Sequence, residues 1–204
     1  AKWARFRALR FLWLVVDSMD RRGTEHLARL EKLQTLVVGR GPSLRSIVHG
    51  TSRYKVSSAA SRLVLGHNSL APLSSMRRLV SLDLGKTTVT GSDLLPISKL
   101  TGLKALYLDF NKGIDDKALK HLASLTHLRH LDLGSTAVTG TGLAHLNPLV
   151  HLESLSLRHV PLSPGSFKHL AALKGLRWLD LQDWGWAKEG DPATKRFFVG
   201  LGQL

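Results

Sequence analysis

Residues 79–89 read LVSLDLGKTTV, and residues 128–138 read LRHLDLGSTAV. In each, leucine holds the first, fourth and sixth places, aspartate separates the last two leucines, and glycine follows. Apolar and polar residues alternating this way predict a short strand with its leucines on one face. The same spacing recurs on both sides. It is found at Leu103/Leu106/Leu108, Leu152/Leu155/Leu157 and Leu176/Leu179/Leu181, evenly spaced from Leu79 onward. Backwards it reaches Leu33/Leu36/Val38 and Leu9/Leu12/Leu14. One more copy is read in ASRLVLGHNSL (60–70), where Ala60, Leu63 and Leu65 fall between Leu33 and Leu79 but off the even spacing. A fixed period of this kind marks repeats that stack to share one core.

The frame also settles the start of the chain. FLWLVV, residues 11–16, follows several basic residues and looks like the apolar part of a leader. A leader needs an apolar run of roughly 7–15 residues and a spanning helix about 20. Here Asp17 and Asp20 end the run, and Leu12 and Leu14 fall in the repeat frame. The stretch is read as the first visible strand.

The pattern L-x-x-L-x-L-x-x-N-x-L resembles that of the leucine-rich repeat family. ASRLVLGHNSL follows it almost as written, LKALYLDFNKGI carries Asn111, and Thr87 and Thr136 take the asparagine place in the two quoted stretches. Val160 and Trp184 depart from it. An inward polar side chain at this place bonds backbone groups that would otherwise be buried unpaired. VTGTGLAHLNPL and DDKALKHLASL carry apolar residues three and four apart and read as short outer helices. The tracts VTGTGL and IDDKAL are most similar to the ribonuclease-inhibitor-like branch or to bacterial repeats. The resemblance implies an α/β solenoid of about eight repeats, each of roughly 24 residues. It would be curved, with parallel strands on the concave face and short helices on the convex face.

One domain, residues 1–204, is expected, with an irregular repeat at 39–60 and a C-terminal cap at 184–204 that starts near Asp191-Pro192. Trp3 and Phe6 precede Leu9 as Leu146 and Leu149 precede Leu152, so the chain is read as beginning inside the outer segment of a preceding repeat.

Twenty-nine Lys and Arg against 15 Asp and Glu give a net charge of +14, which favours an acidic partner. The absence of cysteine excludes disulfides and thiolate metal sites. With no long apolar window, the reading is a soluble protein without membrane insertion; the compartment is not fixed, with the balance toward an intracellular one.

Strand alternation directs the residues between the leucines to the concave face. Asp83, Tyr107, Asp109, His130, Asp132, Arg158, Trp178 and Asp180 are the candidate partner-binding residues, since aromatics flanked by charge dominate interface energetics. The competing reading makes the aspartates a repeat consensus copied by duplication. Phe11, Trp13 and Val15 form a candidate apolar contact or, alternatively, pack under an N-terminal cap. The basic excess is assigned to outer helices and loops: Arg21, Arg22, Arg29, Lys32, Arg77, Arg78, Lys112, Lys117 and Lys120. Arg45, Arg53 and Lys55 are the densest candidates for contact with phosphate or an acidic partner.

Catalysis is not expected. His26, His121, His145 and His169 share one repeat position, on outer helices too far apart for adjacent copies to share a metal. Asp83, Asp132 and Asp180 fall on alternate strands, near 10 Å apart at about 4.8 Å per strand. No phosphate loop, zinc-binding helix or nucleophile elbow appears, and no cofactor is implied. The resemblance implies a non-enzymatic scaffold binding another protein within a larger assembly. Two alternatives stand beside it: a basic RNA-contacting subunit of a ribonucleoprotein such as an organellar ribosome, or the recognition part of a longer sensor or ligase-adaptor chain.

Overall fold

In the chain's computed structural model, residue 6 and residues 8–39, 63–66 and 68–181 are described. Within them the leucine frame becomes a parallel sheet. Seven strands follow one another: β1 (Phe11–Leu14), β3 (Thr35–Val38), β5 (Ser81–Asp83), β6 (Ala105–Tyr107), β7 (His130–Asp132), β8 (Ser154–Ser156) and β9 (Trp178–Asp180). The strands pair leucine to leucine, so Leu12, Leu36, Leu82, Leu106, Leu131, Leu155 and Leu179 make one row across the sheet. From Leu36 to Leu155 this row is fully buried, while Leu12 and Leu179 at the ends are partly covered. Each fully buried leucine contributes about 1.5–3 kcal/mol relative to an exposed one. The repeated frame stacks that gain along the sheet.

The eighth copy is not a strand of this sheet. Leu36 pairs directly with Leu82, nearly two periods further along the chain, whereas every later pair in the row is one period apart. Val64–Leu65 (β4) pairs instead with Ser18–Met19 (β2) in a separate two-stranded sheet. Leu63 bridges Thr87 and so occupies a place past the strand, in the turn. Asn68, read as the asparagine of the pattern, is exposed with a left-handed φ of 54°. The segment therefore completes one lengthened repeat. Its uneven placement between Leu33 and Leu79 already set it apart. Of the irregular tract 39–60 only Gly39 is described, and the expected cap at 184–204 lies outside the described residues.

The outer segments are tighter than the α-helices read from the spacing. One full α-helix, α1 (Arg21–Ala28), is capped by Asp20, whose carboxylate accepts the Gly23 N–H at 2.8 Å. Ala71–Ser75, Ala118–Leu122 and Thr141–Leu146 are 3₁₀ helices. Leu94–Ile97 and Phe167–Leu170 are single α-turns entered through 3₁₀ turns. A 3₁₀ turn rises about 2.0 Å per residue against 1.5 Å in an α-helix, so fewer residues return the chain to the next strand. Among the described residues no helix is long and apolar enough to cross a membrane.

The asparagine position works as the chemistry demands. Asn111 is fully buried; its amide donates to the Leu84 and Leu108 carbonyls at 2.8 and 3.0 Å, and its oxygen accepts from Thr87 Oγ1 and the Val89 N–H. It thus ties two repeats together. Thr87 and Thr136 do a smaller version of this, each donating to the carbonyl three residues back, Leu84 and Leu133. One residue per repeat then turns left-handed: Lys86, Phe110, Ser135 and His159 have φ between 54° and 60°. The N–H groups of Lys86, Phe110 and Ser135 reach forward to the carbonyls of Asp109, Gly134 and Arg158. That hydrogen bond into the next repeat offsets the strain of a left-handed non-glycine residue.

Candidate functional site

The leucine register also fixes what lies on the other side of each strand. Two rows of side chains cross the face away from the core. The first is Phe11, Thr35, Ser81, Ala105, His130, Ser154 and Trp178; the second is Trp13, Val37, Asp83, Tyr107, Asp132, Ser156 and Asp180. With strands about 4.8 Å apart, Asp83, Tyr107 and Asp132 are immediate neighbours.

The two ends of the face are exposed. Phe11, Trp13 and Val15 are each more than half exposed, and Trp178 at the far end is 41% exposed. The Trp13 indole N–H donates to the Gly39 carbonyl at 3.3 Å, which fixes the ring while leaving its face to solvent. The middle differs from expectation. Asp83, Tyr107 and Asp109, read as surface residues, are buried, with Tyr107 at 0% exposure, whereas His130 and Asp132 remain partly exposed.

The aspartates have a local task. Asp83 Oδ1 accepts the Gly85 N–H at 2.9 Å, and Asp132 Oδ1 accepts the Gly134 N–H at 2.8 Å. Each carboxylate thereby holds the turn that ends its strand. This gives the consensus reading a mechanism without exhausting the side chain, since one oxygen suffices for it.

Crowding these groups perturbs them. Burial, and then the charges of Asp83 and Asp132, push the Tyr107 hydroxyl well above the usual phenol range, so it stays protonated. Burial, followed by the nearby Asp109, pushes Asp132 up to about 7; the Gly134 N–H and the Ser156 hydroxyl oppose this, and Asp180 adds to it. Burial also lowers His130, aided by Arg129 and opposed by Glu153, which keeps its imidazole neutral near neutral pH. At the C-terminal end Arg158 sits 3.6 Å from Asp180, and Arg129 pairs with Glu153. Tyr107 Oη, His130 Nδ1, Ser81 Oγ and Ser154 Oγ are buried without a hydrogen-bond partner, all within the two rows.

Phe110 belongs beside the strip although strand alternation does not point to it. Its ring is 41% exposed and lies 5.1 Å from the Lys86 ammonium, one repeat back. The only signal in the sequence is an aromatic residue where other repeats have Lys86, Ser135 and His159.

On the outer side Arg21, Arg22, Arg29, Lys32, Arg77, Arg78, Lys112, Lys117 and Lys120 are described, and Lys117 and Lys120 are exposed. Arg45, Arg53 and Lys55 lie outside the described residues. Among the described residues no three His, Asp or Glu side chains gather as a metal site.

No family model and no curated protein sequence matches the chain. Solved structures do. An internalin, InlF of Listeria monocytogenes, aligns with a TM-score of 0.54 and 24% identity over 78% of this chain. The chain spans only 44% of that protein's length. Internalin C2 of the same organism aligns at 0.56 and 21% identity, over 93% of this chain and 80% of its own. The plant peptide hormone receptor RGFR1, solved in complex with RGF2, aligns at 0.55 and 20% identity, over 87% of this chain and 25% of the receptor. Period, leucine register and these neighbours agree: the chain folds as a leucine-rich repeat solenoid.

Proposed function

We propose that the chain is a non-enzymatic recognition module that binds another protein on its concave strand face, as one part of a larger assembly. The observation that carries this reading is the exposure of Phe11, Trp13, Val15 and Trp178 on a face whose backbone is held rigid by seven paired strands. Large aromatics on a rigid support give much contact area for little loss of conformational freedom, and they supply most of the binding energy at interfaces. A plant peptide hormone receptor with the same fold was solved in complex with RGF2, which supports a polypeptide as the class of ligand.

The test is affinity capture from native extract with the intact chain, each eluate divided and treated or not treated with nuclease. A protein retained after nuclease, and lost when Trp13→Ala and Trp178→Ala are combined, is the expected result. Retention by that double variant, with loss when Lys117 and Lys120 are replaced by glutamine, would move the interface to the convex side and overturn the reading.

A further inference from the structure

The middle of the concave face contains a chemistry that its exposed ends do not. We propose that the strip formed by Asp132, Tyr107 and His130 receives an arginine side chain of the protein partner. This rests on the concave-face reading above and names the group that the face selects.

Three observations converge. The first is the set of unpartnered polar atoms. Tyr107 Oη is fully buried without a hydrogen-bond partner, in register between Asp83 and Asp132, and the buried His130 Nδ1 is likewise unpartnered one strand over. A buried polar atom left unpaired costs about 1–3 kcal/mol, so a fold retains such a group where something else pairs with it. The second is charge. Asp132 uses Oδ1 on the Gly134 N–H, and among the described residues no lysine or arginine pairs with it. The third is that the chain already shows the arrangement two strands away, where the Arg158 guanidinium sits against Asp180, the Asp132 counterpart in the same row.

The acceptor set selects among cations. The three groups are a carboxylate, a phenol oxygen and a neutral imidazole nitrogen, spread over adjacent strands about 4.8 Å apart. A planar guanidinium carries five N–H donors in a fixed fork and can meet several such acceptors at once, while an ammonium is a point charge. A metal ion would need three or more gathered ligands, and no such group exists among the described residues. Asp132 and His130 are still partly exposed, and Tyr107 lies covered between Asp83 and Asp132.

Asp132 makes this contact sensitive to pH. The groups facing it are Tyr107 and Asp109 from the β6 side, Ser156 on β8, Asp180 on β9, and His130 on its own strand. Because burial and Asp109 raise its affinity for a proton, the carboxylate is charged above neutrality and loses its charge below it.

The experiment is calorimetric titration of the full chain with three short peptides that alternate glycine with arginine, lysine or glutamine. The arginine peptide is expected to bind at about pH 8, the lysine peptide more weakly, and the glutamine peptide not at all. Asp132→Asn should weaken arginine binding by at least about tenfold. Tyr107→Phe should weaken it several-fold while leaving thermal unfolding unchanged or higher, a combination that a purely structural hydroxyl would not give. Lowering the pH to about 5 should weaken the wild type and leave Asp132→Asn unchanged. Equal binding of the arginine and glutamine peptides, or equal binding by wild type and Asp132→Asn, overturns the inference. If the arginine peptide fails while the Trp13/Trp178 variant still loses its captured partner, the arginine inference alone falls. If that variant keeps its partner, the concave-face reading falls with it.

Discussion

The concave face has two regions that obey one alternation rule and end in opposite conditions. At β1, Phe11 and Trp13 are large, apolar and exposed. Further along the sheet, Asp83, Tyr107 and Asp132 are polar and crowded, and the first two are buried. Ordinary partition would place them the other way round. The inversion teaches that alternation assigns a residue to a face without deciding its exposure. The apolar ends of this face are left to water while Asp83 and Tyr107 in its polar middle are withheld from it, and both arrangements cost free energy in the isolated chain.

The largest effect should come from beneath the middle. Leu131→Asp places an unpaired charge in the fully buried row and should remove several kcal/mol, melting neighbouring repeats together. Leu12→Asp, at the partly covered end of the same row, should cost markedly less. Equal losses, read by thermal unfolding, would break the contrast between end and middle.

Asn111→Ala should follow, at about 2–3 kcal/mol. It removes the side-chain donor to the buried Leu108 carbonyl and leaves the Leu84 carbonyl and the Val89 N–H with Thr87 Oγ1 alone. Asn111→Thr should recover part of this loss, because Thr87 and Thr136 perform the same task in their repeats. A full loss with threonine would show that the two-repeat clamp, rather than the local bond, is what matters.

Much of this was legible in the residues. The leucine triplets predicted short strands with their leucines on one face, the family resemblance implied that they run parallel, and Asn111, Thr87 and Thr136 predicted the inward polar ladder. The strand at Val64–Leu65 shows the limit: L-x-L-x-x-N-x-L was present, but which sheet a strand joins depends on where the chain returns; Leu36 pairs with Leu82, and β4 pairs with β2 instead. Likewise, alternation assigns Tyr107 to a face yet cannot say whether that face is covered. Cover depends on side chains from several repeats at once, which no local pattern encodes. Phe110 was missed for a related reason, since a left-handed turn redirects a side chain without any change in spacing.

A third prediction concerns pH. The folded Asp132 titrates at about 7, above the value of about 3.9 of an unfolded aspartate. A raised folded value means that its contribution to stability is present below about 4 and is lost as the pH rises toward 7. Asp132→Asn should therefore be more stable than wild type at about pH 8, with the difference shrinking toward pH 4. Melting curves across that range check it; a constant difference would remove the crowding from the account.

The smallest effects should be at the exposed end. Trp13→Ala and Phe11→Ser should change stability by no more than about 0.5 kcal/mol, though Trp13 also gives up one bond to Gly39. Tyr107→Phe should be neutral or slightly stabilising, because it removes a hydroxyl that has no partner. A loss of more than about 1 kcal/mol at Tyr107 would show that its hydroxyl supports the fold.

The central claim is that recognition belongs to the concave face. The most direct measurement places a photo-reactive phenylalanine analogue at Trp178 and, in a second protein, at Lys117 on the exposed convex side. Both are irradiated in native extract and then treated with nuclease. The account predicts a discrete protein adduct from position 178 that survives nuclease, and none from position 117. Adducts from position 117 alone, or adducts that vanish with nuclease, would contradict it.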